Sequence, residues 1–247
     1  MPLIERLAAV ATATMVLAGC GIASGDERIT LQVLAASSLT DAFGELGAAY
    51  QTAYKRVTVQ VKFAGSQELA SNVKNREPAD VLATADSASM DDVVTKVSDR
   101  RAFAHNSMTI AVTPGNPKRL QGLANLADPR LRVVLGGPSV PVGRYAQQVL
   151  VKAGVTVRPQ SEEADARTVL TRIRTGVADA GLVYVTDMRS AGISATSVAI
   201  PLQQNVTATY FAAAVRRGHG TAAKSFVTWL SSPAARTILQ KYGFTPA

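Results

Sequence analysis

Four stretches of the chain place small or hydroxyl residues where a helix pattern begins: Ser37-Ser38, Gly65-Ser66, Pro141-Val142-Gly143 and Asp165-Ala166. The first turn of a helix has backbone N–H groups without an intrahelical partner and carries the positive end of the helix dipole. Such ends bind anions. Four of them aimed at one point would form a pocket made of donors. That chemistry suits an anion, which offers acceptors. Neutral donors also avoid burying an isolated Lys or Arg. Each corner taken singly has a plainer explanation, and Ser38 can simply cap its own helix.

Other chemistries find less support. No Gly-x-Ser-x-Gly elbow surrounds Ser37 or Ser38, and the two histidines, His105 and His219, have no partner motif. The chain is therefore not expected to be an enzyme or to carry a cofactor. Two unclustered histidines, one cysteine and no spaced carboxylate set give no cation site. Tyr184, Tyr210 and Tyr242 remain candidates for ferric iron. The net charge of +8 suits an anionic ligand or surface. The Lys and Arg are scattered and not interleaved with aromatics, so nucleic acid is not an expected partner.

The elements that must position these corners alternate. Ile29, Leu31 and Val33 mark a strand, and Leu39, Ala42, Phe43, Leu46 and Tyr50 mark the helix after it. Residues 57–63 alternate cleanly as a strand, and Leu69, Ala70 and Val73 begin a helix. A buried strand follows near Val81, and Met90, Val93, Val94 and Val97 mark another helix. Strands are further expected at 107–114, 131–135, 155–158, 180–185 and 207–215. Helices are expected from Pro141, from Asp165 with Val177 inward, and over 221–230 and 233–242, the last ended by Gly243.

Strand–helix alternation predicts an α/β chain with a parallel-rich sheet, whose ligands bind beyond the carboxyl ends of the strands. The turn at Pro114-Gly115-Asn116-Pro117 is taken as a first crossing between two lobes, with a return near 198–202. Residues 29–113 and 200–247 then form lobe I, and 114–199 lobe II. A cleft between lobes permits hinge closure on a ligand.

The N-terminus is a targeting segment. Residues 7–18 form an apolar run of signal-peptide size, too short to span a membrane. It ends in Leu17-Ala18-Gly19-Cys20, which resembles a bacterial lipobox. Residues 1–19 are read as a signal peptide, Cys20 as the lipidated residue and 20–28 as a tether to the outer face of the cell membrane. Cys20 is the sole cysteine, so the mature core must hold without disulfides.

A family resemblance joins these features. Ala35-Ala36-Ser37-Ser38-Leu39, Phe63-Ala64-Gly65-Ser66, Pro78-Ala79-Asp80-Val81, Ala83-Thr84-Ala85-Asp86 and Met90-Asp91 resemble the periplasmic molybdate-binding proteins of bacterial ABC importers. So do Val140-Pro141-Val142-Gly143-Arg144-Tyr145-Ala146, Asp165-Ala166-Arg167, Gly181-Leu182-Val183-Tyr184 and Lys241-Tyr242-Gly243-Phe244. The matches run in order through residues 29–245. The resemblance implies a two-lobed periplasmic-binding-protein fold of type II, with mixed sheets flanked by helices. It implies a monomer that binds molybdate, and tungstate with it, and delivers it to a membrane permease.

It further implies a ligand held by the backbone N–H and hydroxyl of Ser38 and of Ser66. The backbone N–H groups of Val142 and Ala166 and the hydroxyl of Tyr184 complete the set. Sulfate is the alternative ligand. The sequence departs from the family at 63–68, where fewer hydroxyl residues occur and Glu68 must turn to solvent. Arg144 and Arg167 flank the donors, with structural or anion-steering roles.

Overall fold

A computed structural model describes residues 28–247. The leader, Cys20 and the tether up to residue 27 lie outside the described residues. β1 (Ile29–Ala36) is followed by a 3-10 turn at Ser37–Leu39 and by α1 (Thr40–Ala53). The helix buries Ala42, Phe43, Leu46 and Tyr50, whose spacing puts them on one face. Side chains as large as Phe43 and Leu46 contribute about 1.5–3 kcal/mol each when fully buried. β2 (Val57–Ala64), α2 (Ser66–Lys74), β3 (Val81–Thr84), a short α3 (Ser87–Asp91) and the long β4 (Val97–Val112) complete the first half.

The second half begins with β5 (Val133–Gly136), α4 (Pro141–Ala153), β6 (Ser161–Glu163) and α5 (Ala166–Arg174). β7 (Ala180–Tyr184), α6 (Val185–Ala191) and β8 (Thr196–Val198) follow. The chain then returns through β9 (Thr207–Val215), α7 (Gly220–Trp229), α8 (Pro233–Lys241) and β10 (Thr245–Pro246).

The strands form one continuous array in the order β2-β1-β3-β9-β4-β7-β5-β6, with β8 and β10 also on β4. β1 pairs in parallel with β2 and β3, and β5 in parallel with β6 and β7. β9 and β4 run antiparallel to their neighbours, so the sheet is mixed. β4 joins the two halves. Its residues from Val97 to Ser107 pair with β9, and those from Met108 to Val112 pair with β7. The change of partner therefore precedes the turn at Pro114 by several residues. The result is an α/β fold of mixed sheets flanked by helices, as the family resemblance implies, and not the parallel-rich sheet that strand–helix alternation alone predicts.

Three local expectations fail for physical reasons. Val97 opens β4 instead of closing a helix, because α3 ends at Asp91 and only a 3-10 turn at Val94–Lys96 follows. Residues 155–158 do alternate, with Val155 and Val157 half-buried and Thr156 and Arg158 exposed. They make no ladder, because the free edge of β5 is taken by Ser161–Glu163. Val177 is exposed, beyond the end of α5. The strand ending at Tyr184 runs directly into α6.

Candidate anion site

Ser38, Ser66, Val142, Ala166 and Tyr184 line one tight cavity of about 10 Å³ where the two halves meet. Three helices start there. α2 begins at Ser66 after Gly65, and α4 begins at Pro141 after Val140. Neither preceding residue has a side-chain oxygen to occupy the first N–H groups, and no side-chain cap bond forms at either. Pro141 contributes no N–H, so Val142 presents the first donor of α4. α5 begins at Ala166, and its cap Asp165 accepts from Thr168 N at 2.9 Å and Thr168 Oγ1 at 3.0 Å. That carboxylate is thus turned onto its own helix, leaving the N–H of Ala166 unclaimed by it. The 3-10 turn at Ser37–Leu39 supplies the fourth corner.

The hydroxyls are buried and differently held. Ser66 is 1% exposed, and its Oγ accepts from the backbone N–H of Ala85 at 3.0 Å. A backbone amide can only donate, so the Ser66 hydrogen is free for the cavity. Ser38 Oγ lies 2.9 Å from the Tyr210 hydroxyl. Tyr184 is fully buried, and its hydroxyl has no partner among the described residues. Burial, with Tyr210, Tyr145 and two carboxylates nearby, pushes the Tyr184 phenol well above its ordinary range. It remains a protonated donor at any physiological pH. An orphaned buried hydroxyl is rare and marks a position where a partner belongs.

No Lys or Arg lines the cavity among the described residues. Arg144 and Arg167 instead bridge the halves on its flanks. Arg144 Nε donates to Asp86 Oδ2 at 2.7 Å and Arg144 Nη2 to Ser89 Oγ at 2.9 Å. Arg167 donates to Asp41, which Ser190 also meets. Burial pushes the Asp41 carboxyl up, but these hydrogen bonds and the Arg167 charge outweigh it and hold it below its ordinary value. Gln67 Nε2 adds a third bridge, to Ala164 O at 2.8 Å. Contact is so close there that a Cβ on Gly65 would sit 2.5 Å from Ala164 O. Glu68 is exposed to solvent, as an anion site requires.

Beneath the cavity, Asp187 is fully buried, and its Oδ2 accepts from Tyr184 N at 3.0 Å. Burial pushes its carboxyl up to about 6, against the opposing pull of Arg167. An acid in the third position of a helix is a readable capping signal, so Asp187 could have been found in the sequence. Tyr210 and Asn106 carry no such signal. Tyr242 lies away from the cavity, its hydroxyl donating to Glu45 at 2.8 Å. A larger hollow of about 460 Å³ is rimmed by Arg76, Lys96, Arg216 and Arg217, and its lining includes Thr95 but no start of an α-helix.

The model of the bacterial extracellular solute-binding proteins matches residues 31–245. The chain belongs to this family. Among curated relatives, this solute-binding protein is 38% identical to the molybdate-binding protein ModA of Mycobacterium tuberculosis (strain ATCC 25618 / H37Rv). That match covers 87% of this chain and 84% of the relative. The periplasmic molybdate-binding protein of Azotobacter vinelandii shares its fold at a TM-score of 0.75 and 19% identity, over 87% of this chain and 98% of that one. The sulfate-binding protein SubI of M. tuberculosis does so at 0.80 and 16%, over 89% and 88%. The solute-binding protein thus acts outside the cytoplasm.

Proposed function

We propose that the protein captures molybdate, and tungstate with it, and delivers it unchanged to the permease of an ABC importer. The observation that supports this reading is that Ser38, Ser66, Val142, Ala166 and Tyr184 line one cavity with no Lys or Arg among its lining. In this reading Ser38, Ser66 and Tyr184 give hydroxyls to the ligand, and Ser38, Ser66, Val142 and Ala166 give backbone N–H groups. The 38% identity to a molybdate-binding relative supports molybdate over sulfate, whose binder shares the fold only. Residues 29–113 with 200–247 form one lobe and 114–199 the other, and ligand draws them together by preferring the closed arrangement. No residue serves as a direct cation ligand, and no catalytic step is involved. Cys20 carries the lipid that holds a monomer at the outer face of the cell membrane.

A thermal-shift panel tests the ligand. Molybdate and tungstate should raise the melting temperature in a concentration-dependent way, by mass action on the folded state. A shift with sulfate or ferric iron alone would remove the assignment.

A further inference from the structure

Behind Ser38 lies a chain of hydrogen bonds whose direction is fixed at its far end. The backbone N–H of Ser107 donates to Asn106 Oδ1 at 2.9 Å. A backbone amide cannot accept, so this contact settles which end of the Asn106 amide is oxygen. Asn106 Nδ2 therefore faces Thr186 Oγ1 at 2.8 Å and the Tyr210 hydroxyl at 3.3 Å, and it donates to both. The Tyr210 oxygen is then an acceptor from Asn106. Among the described residues its single proton has one remaining partner, Ser38 Oγ, at 2.9 Å. Ser38 Oγ must accept, and its own hydrogen is released toward the cavity. Asn106, Thr186, Tyr210 and Ser38 are all buried. Burial also pushes the Tyr210 phenol far above its ordinary value, so the proton stays in place.

We infer that Asn106 and Tyr210 are positioning residues that set the proton order of the site, making the Ser38 hydroxyl a donor to ligand and never an acceptor from it. This rests on the reading of the cavity as an oxyanion site. Ser66 reaches the same polarity through the backbone N–H of Ala85, which no substitution at that position other than proline can remove. Ser38 reaches it through two side chains, and so its polarity can be altered. The consequence is selectivity against anions that keep a proton. Such an O–H needs an acceptor, and the carboxylate lining the cavity, Asp165, is turned onto its own helix by Thr168, which it holds through both oxygens.

Asn106→Asp reverses the relay. The new carboxylate accepts from Tyr210, Tyr210 accepts from Ser38, and Ser38 turns its lone pairs to the ligand. Calorimetry on the full mature protein should show molybdate binding weakened by about 10- to 100-fold, the size of one hydrogen bond to a charged group. Binding of inorganic phosphate, which near neutral pH keeps at least one proton, should gain relative to molybdate. In a Tyr210→Phe background the relay is already cut, so most of the Asn106→Asp loss should vanish. An undiminished loss in that background, with no relative gain for phosphate, would mean that the introduced carboxylate acts by charge alone, and would overturn the inference.

Neutron diffraction on perdeuterated wild-type protein gives a readout that needs neither ligand nor variant. Deuterium bonded to the Tyr210 oxygen and pointing at Ser38 is expected. Deuterium on Ser38 pointing at Tyr210 would overturn the relay, whatever the protein binds. Wild-type protein with this proton order that binds no oxyanion would instead overturn the functional reading beneath it.

Discussion

Ser66 and Tyr184 both offer a hydroxyl to the cavity, yet the free protein uses them differently. Ser66 Oγ satisfies the buried N–H of Ala85, whereas the Tyr184 hydroxyl satisfies nothing among the described residues. Ser66→Ala should therefore weaken molybdate binding by about 1–3 kcal/mol and lower stability by a similar amount, since it leaves a buried donor unpaired. Tyr184→Phe should weaken binding by about 1–3 kcal/mol while leaving the stability of the ligand-free protein unchanged or higher. Denaturant titration beside calorimetry separates the two. Equal destabilisation by both would contradict the assigned roles.

Asp187 gives a pH signature. Its folded value, about 6 against 3.8, corresponds to roughly 3 kcal/mol. Because the folded value is the higher one, this contribution to stability is fully present below about pH 3.8 and lost as pH rises through about 6. Melting temperatures of the wild type and of Asp187→Asn, which keeps an acceptor for Tyr184 N–H, should differ in slope across that window. Parallel curves would count against the raised value. Ser38 and Ser66 were legible in the sequence because a serine where a strand meets a helix has a local meaning. Tyr210 was not. The alternation of β9 marks it as buried, but its partnership with Ser38 spans 172 positions of sequence separation.

At the level of elements, the site is the meeting of helix starts, and what brings them together is contact across the halves. Arg144 of α4 holds Asp86 at the start of α3, and Arg167 of α5 holds Asp41 in the first turn of α1. The Asp86 side chain is only 7% exposed, so removing its partner strands a nearly buried charge in the closed form. Arg144→Ala should loosen closure and raise the molybdate dissociation rate by about tenfold, with a smaller change in association rate. Stopped-flow measurement would decide. A change confined to the association rate would restore the pure steering role that sequence allowed. The helix starts themselves were readable from Gly65, Pro141 and Asp165. α6 and the missing strand at 155–158 were not, because each depends on which neighbour claims a strand edge or a strand end.

The whole molecule is two half-sheets threaded by β4, with a donor-lined cavity between them and an overall charge of +8. The charge favours the approach of anions at long range and falls off with salt. Neutral dipoles take over at contact, where a buried cation would bear a desolvation penalty. This division of labour is the central claim. Crystals of the mature protein grown with molybdate and measured at the molybdenum absorption edge test it most directly. A single anomalous peak within hydrogen-bond reach of Ser38, Ser66, Val142, Ala166 and Tyr184, with no Lys or Arg nitrogen in contact, is the predicted result. A peak at the basic hollow rimmed by Arg76 and Arg216, or one held by a charged side chain, would contradict it.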